Sequence, residues 1–473
     1  MKKTVVISED ELARQAAVMD EIAARWTRTA QPYFCVQTYG CQQNEADSER
    51  LAGMAQKMGY AITDDPAKAD VILVNTCAVR EHAELKTLSI TGQFKHLKEK
   101  KPDLLIGMCG CMVSQEHRRD EVKYKYPYVD FLFGTEHLYR FPEILGQALE
   151  RRGRLFYLNE GEGNLAEGLP VRRESDFRAW VSIMYGCNNF CTYCVVPYVR
   201  GRERSRRMED ILYEVKDLAA AGYREITLLG QNVNSYGKDQ NGGCDFADLL
   251  EAVCRIEGDF IVRFMTSHPK DVSYKLIDVI ARNPKVARQF HLPLQSGSDR
   301  ILSAMNRHYD FAHYLERVTY LRRAIPDISL STDIIVGFPG ETEQDFEDTL
   351  NALRTVRYDN IYSFLYSPRR GTPAASMENQ VPEKVKKERF SRLLALQTEI
   401  SRAQNRAYEG KTVSVLVEGR SKTDATRLTG RTEGNRLVHF AGDDSLIGKT
   451  AQVRVTHADT YALLGELDTE KES

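Results

Sequence analysis

The chain of 473 residues has no apolar run long enough to cross a bilayer, so a membrane-spanning helix is not expected. Its start lacks a signal-peptide pattern and turns acidic from Glu9 onward, which argues against export or import and for a cytoplasmic location. It has no excess of positive charge: 65 Lys and Arg stand against 67 Asp and Glu, a formal net charge of -2. The fold as a whole is therefore no polycation, and any nucleic-acid site must be a local basic patch. Only 10 cysteines are spread over the chain. In an unexported protein of this length they point to metal ligation before disulfides. What remains is a globular composition, 42% hydrophobic and 28% charged. The length suits about three domains.

The most informative shortage is a missing cysteine. Tyr185 to Cys194 reads YGCNNFCTYC, with thiols at Cys187, Cys191 and Cys194. This set is one short of the four ligands that close a structural zinc site, and one short of an ordinary iron–sulfur set. Three thiolates on a four-iron cluster leave one iron open to a chelating ligand. A zinc knuckle with a fourth ligand from elsewhere is the competing reading. With Tyr193 just before the last cysteine, the stretch resembles the radical-SAM superfamily. That resemblance implies S-adenosylmethionine on the open iron, cleaved by one electron to a 5′-deoxyadenosyl radical.

A second trio stands upstream. From Tyr33 to about Phe133, short apolar runs (Tyr33–Gln37, Val71–Val74, Leu104–Met108, Val129–Phe133) alternate with helix-period segments. The alternation predicts a parallel sheet wrapped by helices. Cys41, Cys77 and Cys111 follow the first three strands, about one βαβ unit apart. The carboxyl ends of parallel strands share one edge, so three sequence-distant thiols converge there. Filling of βα turns by small apolar cysteines is the alternative. Cys109 lies on the same strand face as Cys111; the strings TYGCQQNEAD, NTCAVRE and GCMVSQ resemble the methylthiotransferase family, whose pattern implies the ligand at the Gly110-Cys111 pair, so Cys109 is read as a neighbour, and Cys35 is read as core.

Residues 1–30 read as an extension, with Ser8 and Glu11 as a capping box for a helix to about Arg28. Residues 151–177 read as a linker. From Ala179 to about Ser367, six strand–helix repeats predict a partial (β/α)6 barrel. Polar or Gly-rich clusters follow its strands, among them Gly230-Gln231-Asn232, Thr266-Ser267-His268 and Gly337 to Glu341. Gln295, Asp333 and the turn at Gly337 are the candidates for contacts to S-adenosylmethionine, together with Tyr193. His268 and His291 read as core histidines, and Cys244 and Cys254 as structural. Pro382 to Glu409 reads as one charged helix connecting to a tail. Five short strands between Lys411 and Leu467 predict a small barrel of OB type, basic at Arg420, Lys422, Arg427, Arg431 and Arg436.

The strings TYGCQQNEAD, NTCAVRE and GCMVSQ, with MYGCNNFCTYCVVPYVRGRERSR and LLGQNVNSYG, resemble the methylthiotransferase family, closest to its tRNA-modifying branch. The resemblance runs from Tyr33 to Leu467. It implies a fold of class α/β: an N-terminal α/β domain (31–150) holding an auxiliary cluster, a radical-SAM core (178–408) and an RNA-binding TRAM domain (409–473). It implies two [4Fe-4S] clusters on the two trios and S-adenosylmethionine. It further implies an electron donor such as flavodoxin or ferredoxin, and tRNA, through its anticodon stem-loop, as partner. The implied reaction is methylthiolation of carbon 2 of N6-isopentenyladenosine beside the anticodon. An aspartate of a ribosomal protein or a threonylcarbamoyladenosine tRNA are alternative substrates, and a non-catalytic metal-stabilised RNA-binding protein is the alternative of another class. The run from Arg200 to Arg207 is a candidate for phosphate contacts.

Overall fold

The computed structural model describes residues 5–26, 30–78, 81–150, 153–157, 164–240 and 242–468. Arg28, Val79, Arg80 and parts of the 151–177 stretch lie outside the described residues.

The N-terminal domain is built on a six-stranded sheet. Its order is Ala61–Ile62, Tyr33–Tyr39, Val71–Thr76, Leu105–Gly110, Phe131–Phe133 and Leu155–Tyr157, every pair parallel. The run VILVNT is buried at all six positions, as a central parallel strand covered on both faces requires. One apolar cluster, with Phe34, Leu73 and Phe131, packs one face; another, with Ile72, Val74 and Ile106, packs the other. The helix Glu9–Arg25 starts at Ser8, whose hydroxyl accepts from the Glu11 amide. It is no loose appendage: it lays Met19 and Ile22 into the first cluster, and Val5–Val6 pairs in parallel with Asn164–Leu165.

The central region carries six parallel strands in two sheets of three. Arg178–Ser182, Glu225–Leu229 and Ile261–Met265 form one; Gln289–His291, Ser329–Val336 and Asn360–Leu365 form the other. A parallel bridge between Val262 and Val286 joins them. One large apolar cluster fills the space between strands and helices, and the helix Glu383–Arg406 adds Leu393 and Ile400 to it.

The tail closes into a five-stranded barrel of Thr412–Arg420, Leu428–Thr432, Leu437–Phe440, Leu463–Leu467 and Thr450–Ala458. Only the pair Leu437–Phe440 with Leu463–Leu467 is parallel. The α/β class and its closed C-terminal barrel are as expected from the sequence. The expected basic face is largely neutralised. Arg420 pairs with Asp444, Arg427 with Asp424 and Arg431 with Glu418. Arg436 turns away from solvent to Asp359 and Asn405 of the core.

Candidate functional site

In the core, the strand Arg178–Ser182 runs into the cysteine loop at the carboxyl edge. The loop is anchored from one side. Thr192 donates its amide to Met305 O at 3.1 Å and its hydroxyl to Ala304 O at 2.9 Å. Asn306 donates its side-chain amide to Asn189 O and Phe190 O at 3.2 and 3.1 Å. Arg307 reaches the Cys191 sulfur at 3.4 Å and Pro293 O at 3.0 Å. Phe190, Asn306 and His308 hold left-handed backbone here, as do Thr266 and Gln295 at neighbouring strand ends. Such conformations cost about 1–3 kcal/mol each and collect at functional sites.

Cys187 and Cys191 are buried, Cys194 half-buried, and the three influence one another electrostatically. Burial pushes the thiols of Cys187 and Cys194 up to about 12. Thiols raised in this way, as at Cys187 and Cys194, ionise only against strong positive charge, which bound iron would provide. Among the described residues, no three His, Cys, Asp or Glu converge on a point the size of a single metal ion. A multi-iron cluster, whose ligands stand around a larger body, suits this donor set.

Beside the loop, the strand ends present polar atoms without partners. Gln231 Oε1, Asn232 Oδ1, both side-chain polar atoms of Asn234, Ser267 Oγ and His268 Nε2 are buried and unbonded. Unmade hydrogen bonds in this number, at one edge, mark the place of a polar ligand. Burial and the nearby Arg307 push the His268 imidazole well below its usual range, so it stays neutral. The sequence had offered His268 as a satisfied core residue; its unbonded Nε2 is the signal that it is not. His291 has its Nδ1 on Ser331 Oγ at 3.0 Å, and its Nε2 lies 3.6 Å from Asp333 Oδ1.

The proposed S-adenosylmethionine contacts are spread unevenly. Tyr193 packs against Ile301, Met305 and Phe338. Gln295, buried, bridges to Ile334 with φ 73°. Asp333 faces His291. At Gly337, φ is 78° and a Cβ would stand 2.1 Å from the Lys386 stem, so that side is filled by protein rather than open to a ligand.

The second trio is assembled at the sheet edge. Cys41 caps the helix Gln42–Lys57, Cys77 follows the strand Val71–Thr76, and Cys111 follows Gly110. Cys41 and Cys77 share a hydrogen bond; with Arg200 nearby it pulls the Cys41 thiol down to about 6. Burial outweighs Arg200 at Cys111 and raises its thiol. Cys109 and Cys111 part company at Gly110, whose φ of 96° interrupts the strand alternation. Cys109 enters the apolar cluster of Phe34 and Phe131, while Cys111 joins Ala78, Val195 and Val199. Val195 follows Cys194 directly, so the two cysteine regions meet across the domain boundary. Cys35 lies in the core of the sheet, and Cys244 and Cys254 pack against the central cluster.

Arg200 crosses that boundary. Its Nε donates to Cys111 Sγ at 3.1 Å and a terminal nitrogen donates to Asp47 Oδ2 at 2.9 Å. Arg204 and Arg206 are also buried, Arg206 on Glu167 and Glu214. The expectation that the Arg200–Arg207 run contacts phosphates is thus corrected: only Arg202 and Arg207 are exposed. Arg200, Arg204 and Arg206 turn inward while Arg202, at the same alternation, stays exposed, so tertiary partners and not the local spacing decide which arginines are buried.

Comparison with known proteins matches this layout. Family models match residues 33–134 ("Uncharacterized protein family UPF0004"), 181–353 ("Radical SAM superfamily") and 406–467 ("TRAM domain"). A protein of Alkaliphilus oremlandii named tRNA-2-methylthio-N(6)-dimethylallyladenosine synthase is 54% identical over 98% of each chain. Proteins of the same name from Thermoanaerobacter pseudethanolicus and Acetivibrio thermocellus are 51% and 52% identical, over 99% and 98% of each chain. The chain belongs to the tRNA-2-methylthio-N(6)-dimethylallyladenosine synthase family. It is a radical-SAM protein, with a four-iron cluster and S-adenosylmethionine as cofactors. The fold alone is shared with the radical S-adenosylmethionine methyltransferase TsrM of Kitasatospora setae, at TM-score 0.55 and 13% identity over 73% of this chain and 77% of that one.

Proposed function

We propose that this chain is a tRNA methylthiotransferase acting on carbon 2 of N6-isopentenyladenosine beside the anticodon. Full-length identity to synthases named for that reaction supports it. One observation carries it structurally: two trios of cysteines sit on adjoining domains that meet at Cys111, Val195 and Val199. Cys187, Cys191 and Cys194 would hold the radical-SAM cluster, and Cys41, Cys77 and Cys111 an auxiliary one. When bound, the clusters and S-adenosylmethionine supply sulfur, methyl group and radical chemistry at a C–H bond that acid–base catalysis cannot open.

The protein's own contribution is placement. Asn306 and Thr192 hold the cysteine loop, and Arg307 donates to Cys191. The unbonded Gln231 Oε1, Asn232 Oδ1, Ser267 Oγ and both polar atoms of Asn234 offer contacts to a polar ligand. Gln295 and Asp333 are proposed to contribute polar contacts to S-adenosylmethionine, and Tyr193 to wall its site. The adenine must be splayed from its loop to reach such a site, with the C-terminal barrel gripping the RNA. A small electron-transfer protein such as flavodoxin or ferredoxin is the proposed reductant, and the cytoplasm the proposed location; no helix among the described residues is long and apolar enough to cross a membrane.

The test is anaerobic incubation of reconstituted protein with S-adenosylmethionine, dithionite and each acceptor in turn. Mass spectrometry should show a methylthio adduct on isopentenylated anticodon stem-loop RNA. An adduct confined to a ribosomal-protein aspartate or to threonylcarbamoyladenosine RNA would overturn the assignment.

A further inference from the structure

Arg200 is 5% exposed and makes an unusual choice of partners: a carboxylate of one domain and a cysteine sulfur of the same domain, reached from the other. A buried guanidinium is costly unless its charge and donors are matched. Asp47 answers the charge. The Nε, however, is spent on Cys111 Sγ. Simple attachment of the two domains does not call for this. Arg173 already clamps them, with Glu49 of the N-terminal domain at 2.9 Å and Glu214 of the core at 2.6 Å. Gln43 donates to Ser182 across the same boundary at 2.8 Å.

The route of the chain adds a second point. Arg200 ends the one-turn helix Val196–Val199, which begins two residues after Cys194. Asp47 lies in the helix capped by Cys41. The dyad therefore ties a ligand loop of one trio to the ligand helix of the other, with Cys111 between them.

We propose that Arg200 is a positioning residue of the auxiliary cluster, which orients Cys111 and, balanced by Asp47, sets that cluster's reduction potential. The inference rests on the reading of Cys41, Cys77 and Cys111 as cluster ligands. Hydrogen bonds to ligand sulfurs and local net charge are the protein's means of tuning such clusters. A cation at Cys111 favours the reduced, more negative cluster and raises the potential. Asp47 partly cancels it. The two partners of one ion pair thus have opposite effects, which no merely structural role produces.

The experiment uses the full chain with Cys187, Cys191 and Cys194 replaced by Ala, reconstituted with iron and sulfide. Midpoint potentials are then titrated by electron paramagnetic resonance. Arg200→Met should shift the potential negative, Arg200→Lys should stay nearer the parent, and Asp47→Asn should shift it positive. Iron is counted in every sample. Potentials that do not move, or that move the same way in Arg200→Met and Asp47→Asn with iron retained, overturn the proposal and leave the cluster assignment standing. A parent holding no four-iron cluster overturns both. If Arg200→Met fails to load iron, the sign of the Asp47→Asn shift decides alone.

Discussion

The Arg307 guanidinium donates to the Cys191 sulfur from a fully enclosed position, with Pro293 O and the Tyr309 hydroxyl as its other contacts. Among the described residues no carboxylate is its hydrogen-bond partner, and its charge is matched by sulfur and the Tyr309 ring. Replacing it by Met leaves Cys191, the proposed cluster ligand, without its donor. Loss of such an outer contact typically costs 10–100-fold in metal affinity or activity. Arg307→Met should lower 5′-deoxyadenosine formation by about that factor while the iron bound at Cys41, Cys77 and Cys111 stays unchanged. Unaltered S-adenosylmethionine cleavage would show that Arg307 only packs.

Gly110 is the hinge that separates Cys109 from Cys111. Its φ is 96°, and a Cβ there would lie 2.5 Å from both Asn75 Oδ1 and Thr76 O. Left-handed backbone costs an L-residue about 1–2 kcal/mol, before the clash with the neighbouring strand. Gly110→Ala should lower stability by at least that much and reduce auxiliary iron, both visible in thermal unfolding and iron analysis of one preparation. Normal iron content would mean that Cys111 reaches the site without this turn.

Much of this was legible beforehand, for a physical reason. The α/β alternation and the OB-like strands are local patterns of period 3.6 and 2, and they set the architecture. The convergence of Cys41, Cys77 and Cys111 followed from the shared edge of a parallel sheet. Tertiary partners were not legible. Nothing local distinguishes Arg200, spent on Cys111, from Arg202, which lies exposed over the Phe190 ring. Arg436 looked like a nucleic-acid contact because its partner Asp359 is remote in the chain. The unbonded Asn234 and Ser267 look like turn residues until their burial is known.

Glu136 predicts a pH effect. It is half-buried beside Arg204, its Oε1 has no partner among the described residues, and burial raises its carboxyl to about 7. Arg204 pulls the other way, less strongly. The sign follows from the raised value. Between the ordinary value of 4.5 and about 7 the folded state holds the proton more tightly than the unfolded chain. Its contribution is fully present below the lower value and is lost as pH rises through the upper one. Glu136→Gln should flatten stability over this window and stabilise the protein at pH 8 by on the order of 2 kcal/mol. Parallel denaturation curves for both proteins across the window would contradict this.

Docking of the C-terminal barrel depends on buried charge. Arg436 joins Asp359, and Arg263, paired with Glu225, donates to Thr432 O and Glu433 O of the barrel. Removing one member of a buried pair leaves the other uncompensated, at about 3–5 kcal/mol. Asp359→Ala should loosen the barrel and expose the segment after Arg406 to limited proteolysis. Arg420→Ala, on an exposed pair, should leave the digestion pattern unchanged, since such pairs contribute about 0–1 kcal/mol.

On the proposed reading the two trios divide the labour, and the division can be separated by mutation. Cys191 belongs to the loop held by Asn306 and Arg307 in the core; Cys77 belongs to the sheet edge of the N-terminal domain. The apolar seam between the regions is formed by Ala78, Cys111, Val195 and Val199, and Arg200 adds polar contacts to Cys111 and Asp47, whereas Cys191 and Cys77 lie on separate elements. Substituting either should therefore leave the opposite site folded. Cys191→Ala should abolish 5′-deoxyadenosine formation while about half of the iron remains, since two four-iron clusters become one. Cys77→Ala should still yield 5′-deoxyadenosine but no methylthiolated RNA, because in the proposed scheme radical formation needs the core trio alone and insertion of sulfur needs both. If Cys77→Ala kept full product formation, sulfur would have to reach the substrate from somewhere other than the sheet edge.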